Sequence, residues 1–99
     1  VRFPLRVVPN AEREIRKAAS WWRRNRPAAP DLFRAELHRG FDLITRQPEV
    51  GPAAQDVDLA GVRRLHLSRI RYYLYYHLTD DTVEVIGLWH TSRGGPPPL

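Results

Sequence analysis

Between Gly61 and Arg93 the chain reads G-V-R-R-L-H-L, then R-I-R-Y-Y-L-Y-Y-H-L, then T-V-E-V-I-G-L-W-H-T-S-R. Three strand-length apolar or aromatic runs split by two tight turns predict a three-stranded antiparallel meander. In the middle run Tyr72, Leu74, Tyr76 and Leu78 alternate with Arg71, Tyr73, Tyr75 and His77, so each set takes one face. Thr79-Asp80-Asp81-Thr82 supplies the second turn. The last run is apolar on both faces, with Val83, Val85 and Trp89 against Ile86 and Leu88, which marks an interior strand.

Upstream, Arg2 to Val8 alternates, with Phe3, Leu5 and Val7 on one face, and reads as a half-buried strand. Pro4 cannot donate to a ladder, so this strand belongs at a sheet edge. Placed beside the last strand, it gives the order second, third, fourth, first. Pro9 ends the strand and Asn10 is the expected N-cap of a helix with Glu12 and Glu14 in its first turn. Ala11, Ile15, Ala18, Ala19 and Trp22 form the helix's buried stripe, while Trp21 lies off it and is expected against the neighbouring helix. The basic end Arg23-Arg24-Asn25-Arg26 suits the helix C-terminus. After the short connection Pro27 to Asp31, a second, antiparallel helix continues to about Gln47 with Phe33, Leu37, Phe41 and Ile44 inward, and Gly40 permits close approach. Pro48 stops it, and Glu49 to Ala60 reads as a surface loop.

The expected fold is therefore α+β. An N-terminal strand, an antiparallel helical hairpin and a three-stranded antiparallel meander make a four-stranded sheet with both helices on one face. One domain over 1–93 is expected, followed by a flexible tail over 94–99 rich in Gly and Pro. A chain of 99 residues buries about 60 to 65% of its unfolded surface and folds without staples. It has no cysteine, and its four histidines lack paired zinc spacing, so no metal is expected. No small-molecule cofactor is expected either. No apolar run approaches the roughly 20 residues of a membrane span, and no leader-like pattern opens the chain, so a soluble cytoplasmic protein is expected. The formal charge of +5 favours an anionic partner, a polyanion or an acidic protein surface. Of 16 basic residues only Lys17 is a lysine, a bias that genomic base composition also produces.

The order of these pieces resembles the RelE/ParE superfamily of toxins from bacterial toxin–antitoxin systems. The resemblance rests on the hairpin stripe, Pro48, Gly51 shortly after it, Gly61-Val62-Arg63-Arg64-Leu65, the Tyr72 to Tyr76 strand, and the closing Val85 to Arg93 with His90. It covers the chain from Phe3 to Arg93. It implies a growth-inhibiting toxin of a plasmid-stabilisation type, encoded with a cognate antitoxin that neutralises it. One branch, the RelE-like ribonucleases, cuts messenger RNA on the ribosome. The other, similar to ParE, poisons DNA gyrase.

Cleavage of RNA by its own 2′-hydroxyl needs a base, cations around the phosphorane-like transition state and an acid for the leaving oxygen. Arg63, Arg64 and Arg93 can supply charge, and His66, His77 or His90 can move protons near neutral pH. Arg63 and Arg64 are adjacent in a strand and must point to opposite faces, so only one serves a given site. The lysine-rich surface of RelE is missing. So are the Pro-Glu-x-Leu segment and terminal His-Tyr pair of the YoeB-type ribonucleases: Glu49 follows Pro48 but opens a loop, and His90 precedes Thr91. The reading is thus a ParE-like gyrase inhibitor. The alternatives are a metal-independent endoribonuclease using Arg63, His90 and Arg93, and a degenerate toxin kept as a binding module. Target contacts are expected from Arg63, Arg71, Tyr73, Tyr75, His90 and Arg93. Antitoxin contacts are expected from Trp21, Arg24 and Phe33, on the hairpin.

Overall fold

The computed structural model describes residues 1–95 and 97–99. Its elements, in chain order, are β1 (Leu5–Val7), α1 (Pro9–Asn25), α2 (Leu32–Arg46), β2 (Arg63–Leu67), β3 (Tyr72–Thr79) and β4 (Thr82–His90). The sheet order is β1-β4-β3-β2, the order that Pro4 implies, with β1 parallel to β4 and the other two pairings antiparallel.

β1 is shorter than its alternation suggests. The Pro4 carbonyl still accepts from Val83 N at 2.9 Å, but the preceding amide, Phe3 N, turns to Thr45 O of α2 at 2.8 Å. Leu5 remains 38% exposed at this margin, so only Phe3 and Val7 of the expected face pack on the core. α1 starts two residues earlier than expected. Pro9 is its first residue, Val8 is the cap, and no side chain caps the end; proline suits this place because its missing amide hydrogen has no partner there. Asn10 instead accepts from the Arg13 guanidinium.

The core lies between the hairpin and one face of the sheet, where Ala18, Trp22, Phe33, Leu37 and Ile44 meet Leu67, Leu74, Tyr76, Val83, Val85 and Leu88. Removing a buried leucine or isoleucine side chain from such a layer costs about 2–5 kcal/mol. Trp22 Nε1 donates to Ala29 O at 2.8 Å, fixing the link between the helices. Gly40 lets α2 approach β2, since a Cβ there would stand 2.9 Å from Leu67 Cδ2. Glu36, 3% exposed, holds Arg39 at 3.0 Å and Arg69 of the β2–β3 turn at 3.7 Å.

One irregularity re-sorts the last strand. Tyr75 pairs with Gly87 but Tyr76 pairs with Val85, which leaves Ile86 as an extra residue, a β-bulge. Leu88 therefore joins Val83 and Val85 on the core side, and Trp89 does not, contrary to simple alternation. In the segment expected as a tail, Pro96 lies outside the described residues. Beyond it Pro97 is buried, and Leu99 Cδ2 lies 2.7 Å from where a Cβ on Gly87 would stand.

Candidate functional site

The arginines at the start of β2 are held by the protein itself. Arg63 Nη1 donates to Gly51 O at 2.8 Å and to Glu49 O at 3.3 Å, carbonyls of the loop that follows α2. Tyr76, on the same face, donates its hydroxyl to Pro48 O at 2.8 Å and accepts from Gly51 N at 2.9 Å. Gly51 is required there, because a Cβ would stand 2.8 Å from the Tyr76 hydroxyl and 3.1 Å from Arg64 O. Arg64 faces the other side, as adjacent strand residues must. It reaches Asp56 at 3.3 Å and lies 3.9 Å from the Tyr73 ring centroid.

Tyr75 is fully buried, with its hydroxyl on Asp56 Oδ2 at 2.6 Å. Burial, then the hydrogen bond to Asp56, push its pKa up to about 12 against the opposing effect of Arg64. Tyr75 therefore offers no face to a nucleobase or a partner. Tyr73 is half-buried among Arg64, His66 at 5.1 Å and Tyr75 at 6.4 Å. Phe33 is also a correction. It is 3% exposed, edge-on to Tyr72 at 5.8 Å and 6.3 Å from Trp22, so it is core rather than a contact surface.

The other end of the sheet is different. A cleft of about 470 Å³ separates α1 from the end of β4 and is lined by Lys17, Trp21 and Arg24 on the helix and by Tyr72, His90 and Arg93 on the sheet. Helical spacing of 17, 21 and 24 puts the first three on one face. Trp21 is 39% exposed with the Arg26 guanidinium 5.3 Å from its centroid, so it lines this cleft rather than packing on α2. The His90 ring meets Tyr72 edge-on at 5.0 Å. Its Nδ1 accepts from Ser92 N at 3.1 Å, which puts the proton of the neutral ring on Nε2. Burial, then Arg93 and Arg71, lower its pKa. Burial raises that of Tyr72, with Arg93 opposing. Arg71, in a left-handed turn conformation at φ 65°, accepts Thr91 N on its carbonyl at 3.0 Å and so belongs to this end.

Of the expected target residues, then, Arg71, His90 and Arg93 come together, and Trp21 and Arg24 join them; Arg63, Tyr73 and Tyr75 lie elsewhere. Arg63 pairs with Tyr76 and His90 with Tyr72. Four residues of β3, about 13 Å, therefore separate their levels, with β3 itself between them. A ribonuclease set of Arg63, His90 and Arg93 does not converge. Sequence reading missed Lys17 and Tyr72 as cleft residues, although Lys17 was legible from its spacing to Trp21 and Arg24. Among the described residues no cluster of histidine and carboxylate side chains is placed to hold a metal, and no helix is long and apolar enough to cross a membrane.

A family model described as the ParE toxin of type II toxin–antitoxin system, parDE, matches residues 5–94. The chain belongs to the ParE toxin family. Toxin ParE2 of Mycobacterium tuberculosis strain H37Rv is 27% identical to it over 86 residues, 87% of this chain and 79% of that protein. Among solved structures, the chromosomal ParDE system of P. aeruginosa superposes with a TM-score of 0.74 at 12% identity, covering 92% of this chain and 98% of that one. The RelBE2 toxin–antitoxin complex of Mycobacterium tuberculosis gives 0.65 at 24% identity, covering 91% and 99%. At these identities the superpositions carry the fold, and the family match makes this ParE-family chain a type II toxin.

Proposed function

We propose that this toxin inhibits DNA gyrase by direct protein contact and is held inactive by a cognate antitoxin. The observation that carries the reading is the separation of Arg63 from His90 and Arg93, with Arg63 engaged on loop carbonyls. With Arg63 apart from His90 and Arg93, the arginines of the two ends act by contact rather than as one catalytic set. The antitoxin partner is supported by the solved relatives, which include a ParDE system and a RelBE2 complex. Trp21 and Arg24 are the residues through which it would engage the cleft wall, by burial of the exposed indole and by charge. Supercoiling and cleavage-complex assays with purified toxin test the reading. Inhibition at micromolar protein is expected, and gyrase unaffected at that concentration removes it.

One observation favours a second reading: a neutral His90 beside Tyr72 and Arg93 is a proton-transfer pair with a cation at hand. If that pair cleaves ribosome-bound message, programmed ribosomes will show A-site cuts that vanish in His90→Ala. Intact message in that assay rejects it.

A further inference from the structure

Charge pairing is distributed unevenly over this protein. Arg2, Arg6, Arg39, Arg46, Arg64 and Arg69 meet carboxylates of α2, β4 or the 49–60 loop. Among the described residues the other ten basic side chains have no ion pair, and three of them, Lys17, Arg24 and Arg93, converge on the α1–β4 cleft. One carboxylate, Glu14, also lines the cleft; its Oε1 accepts Leu88 N at 3.1 Å, which fixes it against β4 while its negative charge stays opposite the three cations. His90 adds an Nε2–H donor because Nδ1 is occupied, and Tyr72 adds a hydroxyl. A donor-rich wall with three cations that no carboxylate pairs, Arg24 resting on Ser20 Oγ at 2.7 Å and Arg93 over Trp89, suits an anion bearing several acceptor oxygens, a phosphate more than a single carboxylate. The exposed Trp21 ring adds a flat surface of the kind on which nucleobases stack. The volume, about 470 Å³, falls within the range of small-ligand sites.

We propose that this cleft binds a nucleoside phosphate, free or as a unit of single-stranded nucleic acid, with the phosphate on Lys17, Arg24 and Arg93 and the base on Trp21. The site goes beyond the gyrase reading and does not require it; it belongs to the toxin free of antitoxin, whose docking would cover the same Trp21 and Arg24. Both sources share one chemistry, and a titration separates them. Purified toxin is titrated with ATP by calorimetry, with a fluorescent oligothymidylate by anisotropy, and with polyglutamate of matched charge as a competitor.

Binding of either nucleotide probe is expected, with polyglutamate competing weakly. An oligothymidylate that binds far more tightly than ATP identifies the strand as the source; comparable affinities identify the free nucleotide. Trp21→Ala weakens binding on the order of tenfold, and Trp21→Phe, which keeps a stacking ring, recovers most of it. Arg93→Ala reduces the slope of log affinity against log salt by about 1. Circular dichroism confirms that these surface variants are folded. Two results overturn the site: no binding of either probe, or polyglutamate binding as tightly as the oligonucleotide with Trp21→Ala indifferent, which would make the cleft a groove for acidic peptide. Toxin that binds neither probe yet still inhibits gyrase loses this site and keeps the function proposed above.

Discussion

Where β2 begins, two arginines are tied down: Arg63 on the carbonyls of Glu49 and Gly51, Arg64 on Asp56 and over Tyr73. Where β4 ends, Arg93 lies over Trp89 at 4.4 Å and shares a cleft with Arg24 and Lys17. In the sequence both were arginines bounding the Gly61 to Arg93 stretch. The difference comes from the neighbouring chain. The loop after α2 brings carbonyls and Asp56 to the first end, while at the second end α1 brings more cations. An arginine is available to a partner where neighbouring carbonyls and carboxylates leave its guanidinium donors unused.

Several substitutions would break or sharpen this contrast. The largest effect is expected at Tyr76, whose hydroxyl joins Pro48 O to Gly51 N in a buried place. Tyr76→Phe strands that amide and should lower unfolding free energy by about 1–3 kcal/mol, measured by urea denaturation. Arg63→Ala removes part-exposed bonds to the same loop and should cost about 0.5–1.5 kcal/mol while leaving growth arrest per folded molecule intact. Arg93→Ala should change stability by less than about 0.5 kcal/mol yet abolish growth arrest on induced expression. If Arg63→Ala and Arg93→Ala behave alike in both assays, the contrast between the two ends is wrong.

Smaller effects appear in titration. His90 should protonate with a midpoint below the ordinary 6.5, followed by NMR of the ring protons, and Arg93→Ala should move the midpoint upward while burial still holds it low. The folded state resists this proton. The associated stability is therefore complete above the unfolded value, about 6.5, and declines as pH falls through the lower folded midpoint. Tyr75 has the opposite sense. Its pKa near 12 means that its contribution is complete below about 10 and is lost as pH rises towards 12. Phenolate absorbance against pH should show one tyrosine ionising last, and Tyr75→Phe should remove that step.

Much of this architecture was legible because it depends on period and on residues with a single conformational consequence. Pro4 placed β1 at an edge, Pro48 closed α2, and alternation in β3 separated Tyr72, Leu74 and Tyr76 from Tyr73 and Tyr75. The bulge at Ile86 was not legible, since an unpaired residue within an apolar strand changes no local pattern and is set by the pairing with β3. It reversed the expected side of Trp89. The candidate site was half legible: His90, Arg93, Arg71, Trp21 and Arg24 were singled out, but on two separate surfaces. Only tertiary packing of α1 against β4 brings four of them, Trp21, Arg24, His90 and Arg93, into one cleft. Burial of Phe33 and Tyr75 likewise depends on what covers them, the neighbouring rings in one case and the 49–60 loop in the other.

The carboxylate of Glu14 on Leu88 N has one more consequence. It occupies an amide of β4 beyond the last residue that β1 reaches. On the far side, Ala53 bridges Arg63, and Pro52 O accepts from Arg64 N, so the start of the β2 margin is occupied as well. At the opposite margin β1 offers only Leu5 to Val7. Short, interrupted margins give an incoming strand little backbone to pair with, which disfavours edge-to-edge joining of one molecule to the next.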